Sequence, residues 1–231
     1  MKKWHPAHIK KRATRAYHRV GGSDVVKRRD AATAFAEKHG LVYFHTVSAD
    51  SDAAPVVRGS TVAPHQVDSN FCIGTHAGYD MALMERAADV TFGKFESSFH
   101  RWYVLEIDLK RASGLPYLFV GTKQQSKAYY ARVLTSRRGL AHVSLHGATS
   151  VPRFYSNYVL ISSPTDLPAL QKLFSDDTVA VMAAQAWPFS LEIDDDSIIV
   201  TTLADKPSEQ LMNKLLHYGL WFAKQIDEKL V

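Results

Sequence analysis

The stretch RWYVLEIDL, residues 101–109, alternates its side chains with a period of two along the chain. In an extended conformation one side of this stretch would carry mainly apolar groups, namely Tyr103, Leu105, Ile107 and Leu109. The opposite side would carry Trp102, Glu106 and Asp108. Such a period is typical of a β-strand with one face in a core and the other in water. We therefore predict a half-buried strand with a wet face.

Further strand signals lie on both sides of this stretch. Aromatic and β-branched residues bounded by turn residues predict strands at LVYFHTV (41–47), PYLFVG (116–121), LAHVSLHG (140–147) and RFYSNYVLIS (153–162). Two hairpins are also predicted: FCIGTHAGYDMALME (71–85), around residues 75–78, and FSLEIDDDSIIVTTL (189–203), whose turn uses three aspartates.

Helical periodicity is strongest at the end of the chain. Between Asp205 and Lys229 one stripe carries Leu211, Leu215, Tyr218, Phe222 and Ile226, and Gly219 on this helix predicts a close approach of another backbone. A helix from Ser23 to Gly40 is predicted with one side formed by Val25, the Arg29 stem, Ala32, Phe35 and Ala36. Shorter helices are predicted within 124–134, from Thr165 or Asp166, and from a Ser175 cap to about Trp187. Strands in series followed by helices predict an α+β fold, a mainly antiparallel sheet packed by the long C-terminal helix.

The charge is concentrated at the N-terminus. The formal net charge of the 231-residue chain is +5, but residues 1–29 hold ten lysines and arginines and one acid, Asp24. The remaining residues hold eighteen basic and twenty-two acidic side chains. The first twenty residues carry seven cations at faintly amphipathic helical spacing, and Gly21-Gly22 would end that helix. We predict a basic helical arm, residues 1–22, joined to a single α+β domain, residues 23–231.

Motifs for catalysis, nucleotides and metals are missing from the sequence. There is no G-x-S-x-G, S-x-x-K, P-loop, dinucleotide fingerprint or H-E-x-x-H, so no catalytic residue, cofactor or metal is predicted. His142 and His146 share a strand face but would stand about 13 Å apart, too far to bind one ion. Cys72, the single cysteine, lies between Phe71 and Ile73 and is predicted to be buried and inert.

The order of elements resembles a widespread bacterial family known only as a domain of unknown function. The resemblance covers about residues 30–228 and rests on these stretches: AFAEKHGLVYF (34–44), CIGTHAGYDMAL (72–83), HRWYVLEIDL (100–109), GLPYLFV (114–120), residues 154–177 and FSLEIDDDSIIVTT (189–202). Members of that family often carry membrane helices ahead of the domain, and here the basic arm stands in their place. The resemblance implies a position beside a membrane. It assigns no activity and no catalytic residue.

The sequence supports three hypotheses about the function of this protein. The first is a non-enzymatic binding or scaffolding domain in the cytoplasm, peripheral to the inner membrane, whose partner is an anionic membrane surface or a membrane-associated protein. Its candidate contact residues are the basic residues of the arm: Lys2, Lys3, Lys10, Lys11, Arg12, Arg15 and Arg19. The second hypothesis is nucleic-acid binding through the same arm. The third is that the protein is an enzyme with a site on the wet face of the sheet.

Overall fold

The computed structural model describes residues 22–47, 59–63, 66–92, 96–110, 114–123, 125, 127–145 and 152–230. The helices are α1 (Gly22–His39), α2 (Lys127–Ser136), α3 (Pro152–Asn157), α4 (Leu167–Leu173), α5 (Asp176–Gln185) and α6 (Glu209–Lys229), with a short 3₁₀ turn at Pro164–Asp166. The strands are β1 (Val42–Phe44), β2 (Val67–His76), β3 (Tyr79–Phe92), β4 (Glu96–Asp108), β5 (Leu115–Thr122), β6 (Ala141–His142), β7 (Tyr158–Ser162), β8 (Ser190–Asp195) and β9 (Ser197–Leu203).

The strands form a nine-stranded sheet in the order β1-β2-β3-β4-β9-β8-β5-β7-β6. Every neighbouring pair is antiparallel. Both predicted hairpins are present, and at the first one Ala77 and Gly78 have positive φ values of 53° and 77°. Such a pair suits the turn that matches the twist of a two-residue hairpin. The predicted α+β fold with an antiparallel sheet is confirmed.

The C-terminal helix α6 packs on the sheet, as its apolar stripe predicts. Leu215 and Tyr218 are fully buried, and the helix contacts β4 and β9. A Cβ on Gly219 would lie 2.9 Å from Ile107 Cδ1 and 3.0 Å from Leu105 Cδ2, so the glycine permits a close approach, but to side chains of β4 and not to the predicted backbone. The helix begins at Glu209 rather than near Asp205, because Ser208 is extended and its side chain accepts a hydrogen bond from the Leu211 N–H.

The N-terminal helix α1 lies over β1 and β2 on the same face as α6. It ends at Gly40, whose φ is +69°, and the Leu41 N–H donates to the Ala36 carbonyl at 2.9 Å, as in a Schellman cap. The predicted burial of its later apolar residues is confirmed, but Val25 and Arg29 are exposed. Arg28 is buried instead, since a guanidinium with enough acceptors can occupy an interior position that sequence periodicity assigns to apolar residues.

The predicted wet face of the sheet is only partly wet. Trp102 and Val104 are buried on this second face, whereas Glu106 is half-buried and Asp108 is exposed. Residues 59–63 help to cover Trp102 and Val104, because Ala63 packs in the same apolar cluster as these two side chains. Helix α2 covers a separate apolar cluster around Phe119 on the same face. The core face predicted for β4 is confirmed, and the wet face predicted at Trp102 is wrong.

Three predicted strands are shorter than the sequence suggests, and the one predicted at residues 41–47 spans only Val42–Phe44. The first half of residues 153–162 forms the helix α3, which begins at Pro152, a residue well suited to a first helical turn. In the described part of the stretch 140–147, residues 140–145, only Ala141–His142 is a strand. Beyond it the Tyr155 hydroxyl bonds both the N–H and the carbonyl of Leu145, at 2.8 and 3.2 Å. A side chain therefore replaces the ladder partner that a longer strand would need.

Candidate functional site

The seven basic residues predicted to form the contact site lie outside the described residues, as does the predicted helix of the arm. What the structure shows is the place where the arm joins the body, the first turns of α1. Val25 and Val26 are 37% and 51% exposed there. Lys27 and Arg29 are exposed beside them. Asp24 and Asp30 lie among these cations, so the first turns of α1 carry both signs of charge together with two apolar side chains in water.

Arg28 fastens this part of α1 to the sheet. Its guanidinium donates to the carbonyls of Ala204 and Asp205 at 3.0 and 2.7 Å, and it approaches Glu85 Oε2 at 3.3 Å. Glu85 also accepts a hydrogen bond from Arg101. Charge-assisted bonds of this kind are stronger than neutral ones, so α1 is held at a fixed position at this end of the sheet. The point where the arm leaves the body is therefore well defined.

A second polar cluster is buried on the opposite face of the sheet, around Glu192 of β8. Its carboxylate accepts hydrogen bonds from the Ser60 N–H at 2.8 and 3.0 Å and from the Tyr117 hydroxyl at 3.0 Å. The Ser60 and Tyr129 hydroxyls are 2.7 Å apart. Arg137 stacks over the Tyr117 ring, 4.3 Å from its centroid. These contacts tie residues 59–63 and α2 to the middle of the sheet.

Burial is the main cause of the shifted pKa values of the ionisable groups in this cluster. Loss of water around the carboxylate raises the pKa of Glu192, against the opposing effect of its hydrogen bonds from Ser60 and Tyr117. Burial also raises the pKa of the Tyr117 and Tyr129 hydroxyls and lowers the pKa of Arg132. A raised carboxyl pKa in a cleft is a common sign of general acid–base chemistry. Here the carboxylate is enclosed and its oxygens are occupied by donors from the protein, so its observed role is to hold the second layer.

Replacing Glu192 by glutamine is expected to make the stability less dependent on pH. A carboxyl with a raised pKa binds its proton more tightly in the folded state, so protonation favours folding. That contribution is complete below the ordinary pKa of 4.5 and is lost as the pH rises through the folded-state pKa. The free energy of unfolding of Glu192→Gln, relative to the original protein, should therefore rise with pH and then level off. Denaturant titrations at a series of pH values measure this difference.

Glu209→Gln is the matched control. Hydrogen bonds from Asn213 and Lys38 lower the pKa of Glu209, so its contribution is present at higher pH and lost on acidification, the opposite sign. Parallel stability curves for Glu192→Gln and the original protein would show that the buried carboxyl does not titrate differently on folding.

Other candidates from the sequence have structural roles. Cys72 is fully buried and its Sγ lies 3.4 Å from the Ala32 carbonyl, so the predicted burial is confirmed, and burial raises the pKa of its thiol to about 12. The three aspartates form the predicted hairpin turn, in which Asp195 has a φ of +61° and accepts from the Gly114 N–H. His142 lies in β6, while His146 is outside the described residues. Within the described ranges no three His, Cys, Asp or Glu side chains converge as a metal site would require.

Comparison with known proteins gives a fold but no family. No protein-family model matches the chain, and neither does any curated protein sequence. The structure is similar to the crystal structure of the mycobacterial trehalose monomycolate transport factor A, TtfA, with a TM-score of 0.55. The match covers 87% of this chain and 93% of that chain, at 14% sequence identity. The two proteins share a fold.

TtfA is named as a transport factor. At 14% sequence identity the similarity shows that the two chains have the same architecture and shows nothing about the function of this chain. No helix in the described part of the chain is both long and apolar enough to cross a membrane. Sequence reasoning missed the Glu192 cluster and the buried Arg28, because their partners lie far away along the chain. The only sequence signal for Glu192 is an acid within an otherwise apolar strand, FSLEI.

Proposed function

We propose that this protein is a non-enzymatic binding or scaffolding domain that attaches through its basic arm to the anionic cytoplasmic surface of a membrane, beside a membrane-associated partner. The observation that carries the proposal is the junction of arm and body. Seven cations without an acid precede a helix that begins with exposed Val25, Val26, Lys27 and Arg29. Cations near an anionic leaflet contribute about 1 kcal/mol each, so the arm supplies several kcal/mol of attraction.

Two likenesses support a binding role. The fold is similar to that of TtfA, a trehalose monomycolate transport factor. The order of sequence elements also resembles the bacterial family whose members often carry membrane helices ahead of this domain. Attachment to a surface or a partner needs no catalytic group, and the oxygens of the enclosed Glu192 carboxylate already accept hydrogen bonds from Ser60 and Tyr117.

Co-sedimentation with vesicles tests the proposal. The full chain should bind vesicles that contain phosphatidylglycerol and should not bind pure phosphatidylcholine. Binding should be lost at about 0.5 M salt, where the screening length falls to roughly 4 Å. A chain that lacks residues 1–21 should not bind, and a full-length variant with glutamine at the seven basic positions should behave like the truncated chain.

The truncated chain also serves as a folding control. Because α1 begins at Gly22 and is anchored through Arg28, residues 22–231 are expected to melt cooperatively at nearly the same temperature as the full chain. Loss of cooperative melting would mean that the arm is part of the core. Failure of the full chain to bind anionic vesicles would overturn the membrane proposal.

A further inference from the structure

Exposed apolar side chains are concentrated at one end of the sheet. Among the described residues the large hydrophobic side chains with substantial exposure are Val25, Val26, Val42, Phe44, Val67, Val181 and Leu203. Four of the seven, the two valines of α1 together with Val67 and Leu203, lie at the end of the sheet to which Arg28 fastens α1. Isolated exposed apolar residues need no explanation, but a cluster marks an interaction surface.

Strand register places Val67 and Leu203 at the same end of the sheet, Val67 on the face that α1 covers and Leu203 on the second face beside Trp102. Val67 opens β2 opposite Ala87, and Leu203 closes β9 opposite Trp102. Val67 is two residues from Ser69, which pairs with Glu85, the carboxylate that contacts Arg28. The residue after Leu203, Ala204, accepts a hydrogen bond from Arg28 through its carbonyl. Arg28 therefore joins the start of α1 to the strand ends that carry Val67 and Leu203.

The first turn of α1 extends past the apolar core. Val25 precedes Arg28 by three residues and Ala32 by seven, so all three lie on one side of the helix. Ala32 is 2% exposed and Arg28 is 4% exposed, yet Val25 is 37% exposed. Val26, on the outer side, is more exposed still. Nothing among the described residues covers this turn as the sheet covers the turns that follow.

The same end of the sheet is also its most extended end. The β3–β4 pair continues for five residue pairs beyond the last described partners of its neighbours, from Ala88 opposite His100 to Phe92 opposite Glu96. Because this pair projects past the strand ends, a flat surface can reach the start of α1 and the strand ends only when it lies along the pair and not across its tip. The arm joins the body at the same place.

We infer that this end of the body is the face that rests on the anionic lipid surface, with Val25, Val26, Val67 and Leu203 as its apolar footprint. The inference rests on the proposed function and adds the orientation of the domain. The arm has many charges but few large apolar residues, whereas stable attachment at an interface needs both electrostatic and apolar contributions. The body supplies the apolar contribution that the arm lacks.

The charged side chains at this end of the body do not by themselves attract an anionic lipid surface, whereas the seven cations of the arm do. Lys27, Arg29 and Lys206 are exposed, but so are Asp30, which lies 4.0 Å from Arg29, Asp89 and Asp205, and the Asp24 side chain is 45% exposed. The local charge of the body is nearly balanced. The long-range attraction therefore comes from the arm, and the body makes its contact after the arm has brought it to the surface.

Single cysteine labels test the orientation. An environment-sensitive fluorophore is attached to Val26→Cys or to Val181→Cys, whose parent side chain is 38% exposed on α5, away from this end. The native Cys72 is fully buried and should not react. With phosphatidylglycerol vesicles the emission of the label at position 26 should shift to the blue, and that of the label at position 181 should not. Equal behaviour of the two labels would overturn the inference.

An affinity measurement separates this inference from the proposed function. Val26→Asp should weaken binding of the full chain to anionic vesicles by about tenfold, the effect expected for losing one buried valine, while Val181→Asp should change it less than about twofold. Both sites are exposed, and thermal melts check that both variants fold. If both variants bind as tightly as the original chain, the arm alone attaches the protein and the orientation is wrong. If the original chain does not bind, the proposed function itself has failed.

Discussion

Replacement of Leu215 by alanine is expected to lower the free energy of unfolding by about 2–5 kcal/mol. Leu215 is fully buried in the middle of α6, in the core cluster that this helix forms with the sheet. The approach of α6 to β4 at Gly219 is so close that the helix has little freedom to collapse into a cavity. Because alanine is itself a good helix former, the loss measures packing and not helix propensity. Urea titration of the purified variant gives the value.

Leu220→Ala is the matched control for this prediction, because Leu220 lies on the same helix but is half-buried. Its cost should be clearly smaller than that of Leu215→Ala. A Leu215→Ala variant as stable as the original protein would mean that α6 is not packed on the sheet in solution. The apolar stripe would then have to serve an interface with another molecule.

Replacement of Arg86 by alanine is expected to destabilise the protein by about 3–5 kcal/mol, the usual cost of breaking a buried ion pair from one side. The Arg86 side chain is 0% exposed and the Asp68 side chain 8% exposed, and two bonds of 2.8 Å join them. Arg86 also donates to Thr61 Oγ1 at 3.1 Å, which holds residues 59–63 on the second face of the sheet. Denaturant unfolding measures the loss.

A double variant separates the ion pair from the packing around it. In Arg86→Met combined with Asp68→Asn no buried charge is left unpaired, so a large part of the lost stability should return. If Arg86→Ala alone costs less than about 1 kcal/mol, in the range of a surface ion pair, then the pair is solvated in solution and does not anchor residues 59–63.

Much of the fold follows from local patterns in the sequence. Alternation in residues 101–109, turn residues at Ala77-Gly78 and the stripe on α6 each depend on neighbours within a few positions, and each predicts the correct element. Even the contact at Gly219 has a local signal, because a glycine inside a strong helix pattern is costly and needs a reason. Elements that are specified locally are the ones that a single sequence reveals.

The second face of the sheet could not be predicted in the same way. Trp102 was assigned to a wet face because its neighbours on that side, Glu106 and Asp108, are acidic. Its cover includes residues 59–63, which are held by Glu192 and Arg86 from distant parts of the chain. Helix α3 was likewise hidden, since FYSN has the aromatic composition of a strand. Long-range hydrogen bonds hold the cover over these regions, and the local sign of burial on the second face is that Trp102 and Val104 are both apolar.

One part of the candidate site, the basic arm, could be predicted from the sequence, and the other part, the exposed apolar residues of the body, could not. The arm is evident from composition, because seven cations in twenty residues need no tertiary information. The apolar footprint could not be predicted, since Val25 was assigned to the buried side of α1 and Val67 and Leu203 are ordinary strand residues in sequence. Their exposure depends on where the sheet and the helix end relative to one another.

A competition between lipid and nucleic acid asks whether the protein prefers an anionic membrane surface to a polyanion that has no apolar interface. The full chain is mixed at low salt with phosphatidylglycerol vesicles and with duplex DNA or RNA at equal phosphate concentration, and the vesicles are then sedimented. Nucleic acid offers the same phosphate charge but no apolar interface, so attachment by charge together with the exposed valines predicts that most of the protein sediments with the vesicles. Protein that remains in solution on the nucleic acid, with no retention on the vesicles, would contradict the account and assign the basic arm to nucleic-acid binding.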